Sequence, residues 1–544
     1  MRLRKKLWKT ATIGGLCTFL LMVAGCSNDG GSSEEASGET AGGKPEISVS
    51  LYDRGSIPRE EGSIDDNLWT QWINEESAVK VNYKTIPRWE SVETFNTLFA
   101  SGDAPDLVFE FDTGYRNQLY QQGQLMPIGG LIEEHSDTYK ALMEKYPDLK
   151  TLGTKDDGKL YEVGRVSYLH SFQALFIRKD WLDNLNLEVP DTMEELLEVA
   201  NAFTYEDPDG NGVDDTFGIA LSGETAGAIG SLFQNVTWVI NDEDQWVKDW
   251  ERYEADLAFR KEAYDSGLAD LDFLTDLNGE QALQDWVTGK VGIHAGRTVD
   301  TIDIDRFYSP LKRNVPEADV IPILPEGPFG RFSVGLPNPV QMTAVVNAQA
   351  DNTEALVEYI DFMADPENAV NLRNGFEGEH YELDSEGCPE IIDGDKYTAE
   401  VSWNVDFHML VSRAELGTCS DLANRLDEEN PLEKEFIDIV HRNNELNLNN
   451  DYPFVTHGEH MPQIPNHLIL ISQNANDAIQ NIYDQAIVSG EQYPVEQAVA
   501  DAKKAWDEAG GEQLEEFYQT WYMENKDTAF LAEDMYKYIP DRQE

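Results

Sequence analysis

The sequence predicts an α/β protein built as two large lobes, and three observations carry this. Short runs of alternating apolar residues take turns with stretches at helical spacing from Pro45 onward. The chain has 544 residues, too many for one simple core. A second alternation of strands and helices starts near Ser167, after a first set that is complete by Val108.

In the first set, Ile47, Val49 and Leu51 alternate as in a strand. Leu68, Trp69, Trp72 and Ile73 lie at helical spacing; Val79, Val81 and Tyr83 alternate again. Val92, Phe95, Leu98 and Phe99 form another helical stripe before the buried run Leu107-Val108-Phe109. This βαβαβ order predicts a parallel sheet, and ligand crevices in such sheets lie beyond the strand C-terminal ends. Tyr52, Asp53 and Arg54 follow the first strand, Pro87, Arg88 and Trp89 the second, and Asp112 and Tyr115 the third. In the second set, Phe172–Ile177 reads as a strand. Thr192 with Glu195 three residues on signals a capped helix with Met193, Leu196, Leu197 and Ala200 on its buried face. Residues after about 475 are helix-rich, with Ala498, Ala502, Trp506, Leu514, Phe517 and Trp521 as core.

The N-terminus carries an export signal. Arg2, Arg4, Lys5, Lys6 and Lys9 precede an apolar stretch from Ala11 to Ala24, too short to span a bilayer comfortably. It ends in Val23-Ala24-Gly25-Cys26, which resembles the bacterial lipobox. That resemblance implies cleavage before Cys26 and lipidation of its thiol by diacyl, palmitate-type chains, a firm membrane anchor on the extracytoplasmic face. Ser27–Lys44 is rich in Ser, Gly and Glu and cannot bury enough surface to offset ordering, so it is expected to be a flexible tether. The expected plan is a signal peptide over 1–25, a lipidated linker over 26–44, lobe 1 over 45–165 plus about 300–350, and lobe 2 over 166–299 plus about 351–544.

The formal charge of −61, spread along the chain, argues against nucleic-acid binding, which needs a basic face. Cys388 and Cys419 remain outside the signal region; they can pair in an oxidising exterior, and their spacing does not decide it.

Several stretches resemble the large sugar-type, family 1 solute-binding lipoproteins of bacterial ABC importers, including alginate- and oligosaccharide-binding proteins. They are Phe176–Leu185 with its Arg-Lys-Asp-Trp-Leu turn, the following Pro190–Leu197, Ser101–Leu107 and Asp157–Tyr161. Trp286–Gly292, Gly378–Tyr381 and Trp506–Tyr522 fit too, in order over most of the chain. The resemblance implies a type II periplasmic-binding-protein-like fold with a hinge and the ligand in the interlobe cleft. It further implies a monomer that delivers an oligosaccharide to membrane permease subunits and performs no catalysis.

Asp207-Pro-Asp209-Gly-Asn211-Gly-Val213-Asp-Asp215 is the sharpest local motif. Alternating oxygen ligands with glycines for a tight turn suit a hard divalent cation. Asp207, Asp209, Asn211 and Asp215 would ligate through side chains and Val213 through its carbonyl. The twelfth position is Gly218, unlike an EF-hand; the loop instead resembles the calcium loop of alginate-binding and related proteins, where Thr216 would assist. A structural calcium is the implied cofactor.

Sugar sites combine aromatic platforms with planar polar groups. The ligand-contact candidates are Tyr52, Arg54, Trp89, Tyr115, Tyr168, His170, Trp238, Arg297, His380, Tyr381 and Trp403. For an anionic sugar, Arg54, Arg88, Arg165 or Arg297 would meet the charge. No Gly-x-Ser-x-Gly elbow, His-Glu-x-x-His or P-loop supports the rival reading of a glycan-active enzyme. A binding lipoprotein that feeds a sensor is the other alternative.

Overall fold

The computed structural model describes residues 43–540 except 236, 237, 277, 300–302, 386, 421, 423–425, 449–454 and 457. Cys26 and the signal segment lie outside the described residues. No helix among the described residues is long and apolar enough to cross a membrane.

The first sheet uses β1 (Glu46–Asp53), β2 (Lys80–Pro87), β3 (Leu107–Phe109) and β4 (Glu162–Val166), with a late strand, Val340–Val346, inserted between β3 and β4. β2, β1 and β3 run parallel, as the βαβαβ pattern predicts; the late strand is antiparallel to both β3 and β4. The helices between them start on sequence-encoded caps. α1 (Leu68–Glu76) begins at Asn67, whose side chain accepts from the Trp69 and Thr70 amides while Thr70 returns a bond, and it buries Trp69 and Ile73. α2 (Ser91–Ser101) buries Phe95 and ends on Gly102 in the left-handed region. α3 (Thr113–Gln121) starts on Asp112, which accepts from the Tyr115 amide.

The second sheet is built on β5 (Gln173–Arg178), flanked by antiparallel Val320–Ile323 and Val291–Arg297, with Phe217–Ile219 parallel to the latter at the edge. The helix Met193–Tyr205 packs there, capped by Thr192, which accepts from the Glu195 amide. The Glu195 carboxylate returns its bond to the Asp191 amide rather than to Thr192.

Each sheet has its own apolar core, and the cores redraw the expected boundaries. Residues 320–334 join the second sheet. Leu356, Tyr359, Ile360 and Met363, the segment 401–414, and Phe530, Met535 and Tyr538 join the first core, although 351–544 was expected with lobe 2. The helix Thr353–Ala364 folds back on the sheet to which the strand Val340–Val346 belongs, a tertiary choice that its own sequence does not set. The C-terminal helices Asn466–Val488, Val495–Ala509 and Glu512–Asn525 pack on the second core.

The crossing segments are tied to one helix, Pro431–Asn447. Asn443 Nδ2 donates to Ser171 Oγ at 2.9 Å and to Thr298 Oγ1 at 3.1 Å, Asn444 Oδ1 accepts from the Ser171 amide at 2.9 Å, and Asn447 Oδ1 accepts from the Val334 amide at 3.0 Å. The Asn444 and Asn447 bonds satisfy backbone amides that irregular crossings would otherwise leave orphaned, and buried Asn443 ties two crossings through their hydroxyls. Cys388 and Cys419 form a disulfide.

Four histidines, one buried and three half-buried, sit where the neutral ring is favoured. Burial pushes His294 and His408 down to about 3 and His170 and His460 down to about 4, against partial support from nearby acceptors or carboxylates. An unfolded histidine titrates near ~6.5, so the unfolded chain binds more protons between ~6.5 and the folded values. Stability from this source is complete above pH ~6.5 and is lost as pH falls below it. Each ring is expected to cost roughly 1–2 kcal/mol by pH ~5. Urea midpoints measured at about pH 7 and about pH 5 check this; equal midpoints contradict it.

Candidate functional site

The strand registers bring the important ends together. Val340 pairs with Val166 and Ala344 with Phe109, so the C-terminal ends of β1, β2 and β3 lie at the edge of the first sheet where the chain leaves for the second. On the second sheet the chain enters at Gln173, whose register partner is Arg297. Residues at these two edges therefore flank the crossings, where a crevice between lobes forms.

At the first edge is an open pocket of about 650 Å³, lined by Arg88, Trp89, Ser91, Val92, Glu93, Glu110, Phe111 and Asp112. The Trp89 ring is 80% exposed, a costly display for a large apolar side chain in the absence of a partner. Arg88 carries its guanidinium 4.8 Å from the Tyr52 centroid, 5.4 Å from Phe111 and 5.6 Å from Trp89. Tyr52 and Phe111 stack at 5.9 Å and hold this cradle. Such contacts favour a fixed cation over aromatic faces.

Three buried polar atoms here have no hydrogen-bond partner: Tyr52 Oη, Arg88 Nε and Glu110 Oε2. Glu110 is fully buried, and its other oxygen accepts from the Asp112 amide at 2.8 Å. Burial first, and then the Glu110 carboxylate beside it, push the Tyr52 phenol up. Buried polar groups are normally satisfied, so Arg88 Nε and Glu110 Oε2, on two residues that line the opening, stand out.

Arg116 and Glu162 hold the backbone of Glu110, one of the lining residues. Arg116 Nε donates to Glu162 Oε2 at 3.0 Å, Nη1 to the Glu110 carbonyl at 2.7 Å and Nη2 to Thr113 Oγ1 at 3.1 Å. Lys155 bonds the other Glu162 oxygen. Burial alone would raise the Glu162 carboxyl, but Arg116 and Lys155 outweigh it and hold the group below its usual range.

The sequence-stated ligand residues divide. Tyr52 and Trp89 belong to the pocket region. Arg54 follows β1 but is committed to Asp406 through bonds of 2.7 and 2.9 Å. Arg165 is filled by Gln341 Oε1 and the His408 carbonyl; burial and then Arg413 push it down to about 10. Arg297 sits at the second edge, 4.6 Å from the Phe172 centroid, beside a cavity of about 20 Å³ that also touches Glu224 and His294. Tyr168 and His170 lie on the first crossing, where His170 Nδ1 meets the Tyr168 carbonyl.

Five others are core residues and not at the pocket. Tyr115 stacks on Phe95, and its hydroxyl meets Asn96. Trp238 packs among Trp246, Trp506 and Tyr518, because the C-terminal helices need aromatic filling. His380 is fully buried; its Nδ1 accepts the Phe376 amide and its Nε2 meets Glu400. Tyr381 is buried in a short hairpin, and Trp403 Nε1 bonds the Ala399 carbonyl. Sequence reasoning missed Glu110 and Phe111. A charged residue set between Phe109 and Phe111, just beyond a buried strand, was the available signal.

In the acidic loop, Asn211 Nδ2 lies 2.7 Å from Asp209 Oδ2 and 3.4 Å from Asp215 Oδ1, and the Gly212 amide points into the Asp207 carboxylate. Gly210 and Gly212 take left-handed backbone (φ 67° and 76°) that makes this turn. Burial, then the Asp207 and Asp215 carboxylates, raise Asp209. No basic side chain pairs with these groups among the described residues. Thr216 is not with them: it is buried, and its hydroxyl donates to the Phe203 carbonyl.

Two α/β halves linked by several crossings, with an open pocket at the crossing edge, define a receptor-type binding protein. Residues 58–370 match the bacterial extracellular solute-binding proteins, and the chain belongs to that family. YtcQ of Bacillus subtilis, a polygalacturonan/rhamnogalacturonan-binding protein, is 29% identical over 309 residues, 54% of this chain and 60% of that protein. Lipoprotein LipO of the same organism is 25% identical over 405 residues, 70% of this chain and 74% of that one. The ABC-transporter substrate-binding protein FusA of Streptococcus pneumoniae, solved in complex with kestose, superposes with a TM-score of 0.65 at 18% identity, covering 89% of this chain and 99% of that one. An EF-hand mutant of FusA gives 0.64 over the same shares. This likeness establishes the two-lobe fold.

Proposed function

We propose that this chain is a lipid-anchored, extracytoplasmic oligosaccharide receptor that passes its cargo to the permease of an ABC transporter. The observation that carries this is the pocket at the ends of β1–β3, where an exposed Trp89 stands beside the unpartnered Arg88 Nε and Glu110 Oε2. A flat aromatic ring suits the C–H face of a sugar, and the orphans suit its hydroxyls. The binding of kestose by FusA and of pectic polymers by YtcQ supports a glycan ligand. Capture needs no chemistry: the lobes close by hinge motion around the ligand, with the crossing segments as hinge. The Val23–Cys26 lipobox and the lipoprotein LipO support anchorage through Cys26.

A thermal-shift screen of fructo-, gluco-, xylo- and galacto-oligosaccharides tests this reading. A ligand at about 100 times its Kd adds ~2.7 kcal/mol of stability by mass action. Silence across the panel, with turnover of any member, would replace the receptor by an enzyme.

The loop Asp207–Asp215 is proposed to hold one structural calcium. The donor types fit: Asp207, Asp209, Asn211 and Asp215 share one tight turn with no balancing cation side chain among the described residues, although Asn211 turns its amide nitrogen toward Asp209 and Asp215 and would have to rotate to ligate. Bound there, the ion would neutralise the loop and stiffen its seat, where Asn184 holds the Pro208 carbonyl. The solved EF-hand mutant of FusA supports a cation-binding loop in a protein of this fold. Calorimetry on chelated protein is expected to show one calcium site that D209A loses, in the ~10⁻⁶–10⁻³ M range of such loops. No heat at millimolar calcium would remove the claim.

A further inference from the structure

The pocket beside Trp89 carries one cation and three carboxylates: Arg88 against Glu93, Glu110 and Asp112. Their roles differ. Asp112 caps α3 through the Tyr115 amide, and Glu93 is exposed at the rim. Glu110 is fully buried, makes no ion pair among the described residues, and keeps Oε2 without a partner. Arg88 is likewise paired with no carboxylate among the described residues; three rings hold it, and its Nε is buried without an acceptor. One acceptor and one donor, both shielded from solvent here, therefore lie on residues that line the same opening, and a ligand would reach them by a small side-chain shift.

Their chemistry selects the ligand. A carboxylate can only accept, and an arginine can only donate. A sugar hydroxyl does both. Burial and the neighbouring Glu110 keep the Tyr52 phenol protonated, so it adds a donor to the same group. We infer that the unit seated in this pocket is an uncharged sugar ring, one hydroxyl donating to Glu110 Oε2 and a neighbouring oxygen accepting from Arg88 Nε. This rests on the oligosaccharide reading above. A uronate carries the same ring hydroxyls, but its carboxylate would bring a further anion beside Glu93, Glu110 and Asp112, against the single cation Arg88, in a chain of formal charge −61. Glu110 is thus the specificity-determining residue, and it excludes acidic sugars.

The test is calorimetric titration of the full chain in detergent micelles with neutral fructo-, gluco-, xylo- and galacto-tetrasaccharides and with tetragalacturonate. At least one neutral probe is expected to bind roughly tenfold or more tightly than tetragalacturonate, the scale of one charge-assisted hydrogen bond. E110Q is expected to weaken the neutral probe about tenfold and to leave tetragalacturonate equal or tighter. A salt series on the unmodified chain needs no variant to fold. Between about 0.05 and about 0.5 M NaCl, a repelled tetragalacturonate gains affinity, whereas one captured by Arg88 loses it. Tetragalacturonate binding tighter than every neutral probe, or losing affinity with salt, overturns the inference and leaves the oligosaccharide reading standing. Failure of every probe to bind overturns both.

Discussion

Replacing Arg116 with leucine is expected to destabilise the protein by about 3–5 kcal/mol, the usual result of removing one partner from a buried charge pair. Arg116 is fully buried, and Glu162 and Lys155 are buried with it. Loss of the guanidinium leaves the Glu162 carboxylate with Lys155 alone and removes the bond that pins the Glu110 carbonyl. The same substitution should therefore weaken ligand binding as well as folding. Acid acts on the same pair. Because the folded pKa of Glu162 is depressed, its contribution is complete above the ordinary glutamate value of ~4.3 and is lost as pH falls through the lower folded value. Urea unfolding of R116L and the unmodified chain at neutral pH measures the effect; a difference within ~0.5 kcal/mol, typical of a surface change, would contradict it.

Trp89→Ala is expected to lower oligosaccharide affinity by roughly thirtyfold or more, the scale of an aromatic hot spot. It is expected to leave the melting temperature of the unliganded protein nearly unchanged, since the ring is 80% exposed and packs on no core. The pair of outcomes matters. Lost affinity with intact stability marks a platform, and lost stability would mark a packing residue. Trp238→Ala should give the reverse pattern, because that ring lies inside the aromatic cluster of the C-terminal helices.

Trp238 and Trp89 also show what the sequence could and could not say. Alternation and caps placed β1, β2, β3 and the helix Met193–Tyr205 correctly, because a strand face and a capped helix are local matters decided by neighbours in sequence. The rule that ligands gather beyond strand ends led to Tyr52, Arg88 and Trp89. Membership of a core is not local. The helix Thr353–Ala364 and the segment around Tyr538 return to the first sheet, and nothing in their own composition says so. His380, Tyr381 and Trp403 had the right chemistry for sugar contact, but they are buried in the first half around Phe376 and Glu400. Glu110 was hidden for the opposite reason: a buried carboxylate without a partner becomes informative only once its surroundings are known.

The central claim is that the crossing-edge pocket of the first sheet binds a sugar. A crystal structure with the oligosaccharide giving the largest thermal shift tests it most directly. The expected result is a sugar ring lying over Trp89 with a hydroxyl within about 3 Å of Glu110 Oε2. A sugar bound elsewhere, with the Trp89 ring still bare and Glu110 still unpaired, would contradict the account.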